Sequence, residues 1–179
     1  MQGASLSTKA ESPSRFIRRR KTTFPVSSRP ARLQTFLPRS IPRTAIFEKG
    51  LTRNKIYDRD DWQPDPLILD DRALVVSIKG KGLVVISGCA HAGIINTLKY
   101  AQQITGVTKV YAVLGGFHLA GRDFENRIKP TIEELTKINP ELIAPSHCTG
   151  WRALFNIAQE LPNAFVSNSV GNIYQLQGV

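Results

Sequence analysis

Cysteine and histidine are both scarce in this chain, at two and three copies in 179 residues. Cys89 and Cys148 lie far apart and form no CxxC pair, so neither a disulfide framework nor a structural zinc knuckle is indicated. A reducing compartment, the cytoplasm, fits that cysteine usage. No apolar run approaches the roughly 18 to 20 residues that a spanning helix needs, and no apolar core of a secretory signal is present. A soluble chain with no membrane partner is expected. Acidic residues are missing altogether between Glu11 and Glu48.

That last absence localises the charge. The formal net charge is +10, but residues 1–50 hold eleven Lys and Arg against Glu11 and Glu48, whereas residues 51–179 hold thirteen against twelve acids. The basic character therefore belongs to the N-terminal segment and not to the fold. Residues 1–37, rich in Ser, Pro and Arg, read as a basic segment without packed structure. Three roles are open for it: an organellar presequence, a basic tail that touches nucleic acid or anionic lipid, or a stretch with no selected role ahead of a partial domain. It lacks interleaved aromatics, with only the widely spaced Phe16, Phe24 and Phe36, which ranks a nucleic-acid partner last.

What is present is ordinary for a globular core, with 41% apolar residues. Residues 38–179 read as one α/β domain. Residues 37–71, rich in Pro and charge, should be mostly loop, with an acidic turn at residues 60–65. Two β-branched runs, Ala73 to Ile78 and Leu83 to Ile86, flank Lys79-Gly80-Lys81-Gly82 and predict a hairpin. Ile94, Ile95, Leu98, Ala101 and Ile104 recur at helical spacing before Gly106, predicting a helix over 92–105. A buried strand follows at 109–114, a helix at 127–139, a strand at 142–144 cut off by Pro145, and a helix at 151–161. Short strands at 165–166 and 173–176 close the chain.

All three histidines fall directly after a predicted strand, at the edge where open α/β sheets place ligands. His91 sits in Ser87-Gly88-Cys89-Ala90-His91-Ala92-Gly93. His118 sits in Leu114-Gly115-Gly116-Phe117-His118-Leu119, and His147 in Pro145-Ser146-His147-Cys148-Thr149-Gly150. Imidazole nitrogen or thiolate at such an edge can hold zinc or iron. Each histidine can equally be a hydrogen-bonded surface or core residue. Cys89 and Cys148, each within two positions of a histidine, can be ligands, nucleophiles or buried apolar fillers.

These three runs, in this order and spacing, resemble the C-terminal motifs of a metallo-β-lactamase-fold subgroup, the 7,8-dihydropterin-6-yl-methyl-4-(β-D-ribofuranosyl)aminobenzene 5′-phosphate synthase-like proteins. Ile41-Pro42-Arg43-Thr44, Phe47-Glu48 and Asp70-Asp71-Arg72-Ala73-Leu74-Val75-Val76 are similar to that subgroup as well. The resemblance covers residues 38–179 and implies the C-terminal half of an αββα sandwich. It also implies a divalent metal, zinc first and iron or manganese next, at one edge of the paired sheets, used for water activation and hydrolysis of a small anionic substrate. By position His91, His147 and Cys89 would be metal ligands. His118, Gly115, Gly116, Cys148 and Thr149 would stand near the substrate. The superfamily's HxHxDH cluster has no counterpart here, since no HxH or DH occurs. The expectation is therefore a partial domain, inactive alone, whose lost sheet would leave an apolar face for a partner half or a second copy.

Overall fold

The computed structural model describes residues 32–35, 41–51 and 53–178. Most of the basic segment lies outside these residues. Its one described stretch, Arg32–Thr35 (β1), is a strand paired antiparallel with Ala73–Ile78 (β4). β4 would otherwise be the sheet's open edge, and the added strand takes up its free backbone groups.

The predicted hairpin forms between β4 and Gly82–Ser87 (β5), in a register that sets Val75 opposite Val85. Helix α1 (Ile94–Thr105) then leads to Val110–Gly116 (β6), and helix α2 (Glu125–Ile138) to Leu142–Ser146 (β7). β5, β6 and β7 run parallel, in the sheet order β1-β4-β5-β6-β7. Helix α3 (Trp151–Glu160) follows.

Alternation along the strands sorts the core onto two faces. Val75, Leu83, Val85, Val113 and Ile143 pack with Ile94, Ile95 and Leu98 of α1, Leu135 of α2 and Ile157 of α3. All three helices thus cover one face. Ile78, Val84, Tyr111, Leu114, Leu142 and Ala144 form a second cluster on the opposite face, against Val166, Tyr174 and Leu176. The face expected to lie open is therefore partly roofed by the C-terminal stretch, although Ile86 remains 39% exposed.

Several boundaries differ from the sequence expectation. β7 does not stop before Pro145 but runs through it, with Pro145 opposite Gly115. β7 is an edge strand of the sheet, where a residue without an N–H breaks no ladder bond. The strands expected at 165–166 and 173–176 reduce to isolated bridge residues, Phe165, which pairs with Ile143, and Gln175. Val166, Tyr174 and Leu176 cover the second face, whereas Phe165 packs against the helix-covered core. Within the expected loop, Lys55–Asp58 (β2) and Asp61–Pro64 (β3) form an exposed hairpin. Its turn residues Arg59 and Asp60 both have positive φ, 49° and 64°, as a type I′ turn requires. Tyr57 and Trp62 stack edge-on across it at 5.5 Å. Among the described residues no helix is long and apolar enough to cross a membrane.

Helix α1 carries no capping side chain of its own. Glu48, far upstream, does that work: its carboxylate accepts from the backbone N–H of Ile95 at 2.9 Å and of Asn96 at 2.7 Å, satisfying orphan donors at the positive end of the helix. Gly93 makes room, because a Cβ there would stand 2.1 Å from Glu48 Oε2. Asn96 returns the tie, its Oδ1 accepting from the N–H groups of Thr44 and Ala45, both at 2.8 Å.

Burial pushes the Glu48 carboxyl up to about 7, outweighing the two backbone N–H bonds and the guanidinium groups of Arg127 and Arg43. A carboxyl raised in the fold above its ordinary value near 4.5 holds its proton more tightly folded than unfolded. Its contribution is full below the ordinary value and is lost as pH rises through about 7. Urea unfolding of wild type and Glu48→Gln across this window should show the wild-type advantage shrinking as pH rises. Glu48→Ala, which strands two N–H donors, should cost about 2–4 kcal/mol.

Candidate metal centre

Three parallel strands end side by side, and the residues just beyond each end form the site. β5 hands over to Gly88-Cys89-Ala90-His91, β6 to Phe117-His118, and β7 to a single 3-10 turn, His147–Thr149. Because β6 lies between β5 and β7, the loops after the outer two strands can meet only over the end of the middle one. Gly116, the last residue of β6, permits this. A Cβ there would lie 2.5 Å from Cys148 Sγ and 2.6 Å from His147 Nε2.

Over that gap Cys89 Sγ and His147 Nε2 are hydrogen-bonded at 3.1 Å, and Cys148 Sγ approaches the Cys89 carbonyl oxygen at 3.5 Å. One donor atom from each of Cys89, His147 and Cys148 lies within 4.8 Å of the others. The second nitrogen of His147 is held by Ser146 Oγ at 3.1 Å, the kind of partner that fixes a ligand imidazole's orientation. Burial, with Cys89 nearby, pushes the Cys148 thiol up to about 11.

The other predicted residues sort differently. His91 stays apart from the sulfur group: its ring stands edge-on to His118 with centroids 4.6 Å apart, and its Nδ1 is 4.0 Å from Asp71 Oδ1. His118 is wedged between His91 and Phe124, the latter at 4.8 Å, with a positive φ of 48°. Its buried Nδ1 has no hydrogen-bond partner among the described residues. Burial first, then the neighbouring His91, lowers its pKa. The Thr149 hydroxyl is engaged internally, donating to the Ser146 carbonyl at 2.7 Å and accepting from the Phe117 N–H at 3.2 Å, so it stitches the ends of β6 and β7 together. Gly115 lies directly against β5, where a Cβ would meet the Ser87 carbonyl oxygen at 2.1 Å.

Two contributors escaped the sequence reading. Asp71 accepts from the Ala92 N–H at 2.9 Å while facing His91, and Arg43 donates to the His91 carbonyl at 3.1 Å. Both lie in runs that resemble the subgroup, which was the available signal.

Two thiols and an imidazole, all aimed at one point, suit a borderline or soft divalent ion such as zinc or iron better than manganese, which prefers oxygen. The cradle left at Gly116 fits that use, since any side chain there would fill it.

No family model matches the chain. It is similar to the 7,8-dihydropterin-6-methyl-4-(β-D-ribofuranosyl)-aminobenzene-5′-phosphate synthase of Methanocaldococcus jannaschii, 39% identical over 105 residues that make up 59% of this chain and 35% of that protein. An uncharacterized protein of the same organism is 39% identical over 145 residues, 76% of this chain and 51% of the relative. The chain thus spans between about a third and a half of the curated relatives it matches. Among solved structures, a metal-dependent hydrolase of the β-lactamase superfamily superposes with a TM-score of 0.61 at 28% identity, over 73% of this chain and 52% of that one. The chain therefore has a metallo-β-lactamase-type fold, and over part of their length it is similar to the dihydropterin-ribofuranosylaminobenzene-phosphate synthase and to that hydrolase.

Proposed function

We propose that this chain carries the metal-binding edge of a metal-dependent hydrolase-type site, with zinc held by Cys89, His147 and Cys148 and with His91, Asp71 and His118 beside it. The observation that carries the reading is the meeting of three donor side chains over Gly116, where any Cβ would collide with two of them. A bound divalent ion supplies Lewis-acid chemistry toward an oxygen of a small anionic substrate. The chain's own residues do the holding. Ser146 orients His147, Thr149 locks the turn that presents His147 and Cys148, and Arg43 and Asp71 pin the backbone around His91.

The chain lacks HxHxDH, and three protein donors from two loops are a smaller set than the superfamily's full site. Hydrolysis by these residues alone is therefore not expected. A second reading, a half-domain whose site is completed by a chain bearing that cluster, is favoured by the second sheet face, where Ile86 stays 39% exposed. A basic-tail nucleic-acid binder ranks below both, because none of the site geometry serves it.

Elemental analysis of protein purified without chelators tests the first reading. Near-stoichiometric zinc or iron is expected in wild type, with loss in His147→Ala and Cys89→Ser and a smaller effect in His91→Ala. A folded, monodisperse wild type that takes up no metal would sink the proposal. Gly116→Ala supplies a sharper test, since its backbone needs no special conformation and only the contact changes. It should cost about 1–3 kcal/mol by overpacking and release the metal while the fold persists; full metal retention would show that the cradle is not needed.

A further inference from the structure

Cys89 and Cys148 are the only two cysteines in the sequence, and the fold brings them from opposite sides of β6 to the same point. Their sulfur atoms lie within 4.8 Å of each other, and Cys148 Sγ already rests 3.5 Å from the Cys89 carbonyl oxygen. A disulfide needs sulfur atoms about 2.0 Å apart. Rotation about each Cα–Cβ bond swings its sulfur, and that is the motion closure calls for. Both residues are free thiols and partly exposed, so a small oxidant can reach them.

We infer that Cys89 and Cys148 form a reversible intramolecular disulfide that excludes the metal from this site. The exclusion rests on the metal reading above, whereas closure of the disulfide does not. Both sulfurs would be consumed by the bond, which leaves His147 alone of the three donors. Cys89, whose sulfur is hydrogen-bonded to the exposed imidazole of His147, reacts first with a hydroperoxide. Its sulfur attacks one peroxide oxygen, the O–O bond breaks, and the departing hydroxide leaves as water with the thiol proton, giving the sulfenic acid. Cys148 sulfur then attacks Cys89 Sγ, the S–O bond breaks, and hydroxide leaves as water with the second thiol proton. Two thiols and one hydrogen peroxide become one disulfide and two waters, the sulfurs losing the two electrons that the peroxide gains. A dithiol reductant reverses the bond by exchange.

The experiment exposes the full chain, reduced and stripped of metal, to a few equivalents of hydrogen peroxide, and follows it by intact mass, thiol alkylation and non-reducing peptide mapping. A monomer lighter by two hydrogens, without free thiols and with the peptides of Cys89 and Cys148 linked, is expected. Cys89→Ser and Cys148→Ser should instead give higher oxides or cross-linked dimers. Sulfinic acid or intermolecular dimers in wild type would overturn the proposal. A parallel sample loaded with zinc should keep both thiols. If zinc binds the reduced chain yet the disulfide forms at the same rate, the exclusion is overturned. Zinc titration of reduced protein, read separately, decides the metal reading whatever the peroxide result.

Discussion

A single absent side chain governs how this sheet edge is built. The loops after β5 and β7 belong to strands that are not neighbours, and any Cβ at the end of β6 would hold them apart. With glycine at position 116 the 3-10 turn after β7 settles directly over the end of β6, close enough that Cys148 Sγ and His147 Nε2 would both touch that missing atom. The same turn is closed by Thr149 against the Phe117 N–H and by the N–H groups of Leu119 and Ala120 against the Cys148 carbonyl. The donor side chains are therefore positioned mostly by backbone bonds, which is the rigid support that a metal site needs.

The β5 side is held by a different device. Its turn leads into α1, whose N-terminus is capped from outside by Glu48 and whose first turn is tied through Asn96 to Thr44 and Ala45. Arg43 extends the same connection to the His91 carbonyl. A buried carboxylate beside Arg43 and Arg127 is costly to maintain by itself, and here it serves several functions at once by fixing a helix end, a loop and the backbone of a candidate ligand. The residues before the hairpin are thus part of the site's support and not a mere lead-in.

Much of this architecture is legible in the sequence because it follows from periodicity. The alternating runs around Gly80, the helical spacing of Ile94, Leu98 and Ala101, and the three histidines just past three strands all appear where the pattern puts them. The β2–β3 hairpin was hidden because its turn places Arg59 and Asp60 in left-handed conformations without a glycine to announce them. Phe165, Val166 and Tyr174 look like strand residues because apolar residues that cover a sheet face share their composition with those that pair within it. The grouping of the site was harder still. That Cys148 stands with Cys89 and His147 depends on loops crossing over β6, and nothing local to either motif encodes it. Glu48 and Asp71 are acids in charged stretches, and only the fold shows that Glu48 faces two backbone N–H groups and Asp71 one.

The division between the sulfur group and the histidine pair has a local cause. Ala90, between Cys89 and His91, is almost fully buried and holds a positive φ of 54°. An alanine is kept in that conformation only when its surroundings determine it. The reversal sends the side chains on either side of it in different directions, Cys89 toward His147 and His91 toward Asp71 and His118. Two kinds of donor chemistry consequently stand next to one another at the same edge: a thiol-rich set that favours soft ions and a nitrogen and carboxylate set that tolerates harder ones. A residue at position 90 that relaxed this turn would merge or scatter the two sets without touching a single donor atom. The backbone conformation of one buried alanine is in that sense as much a determinant of the centre as the histidines and cysteines themselves.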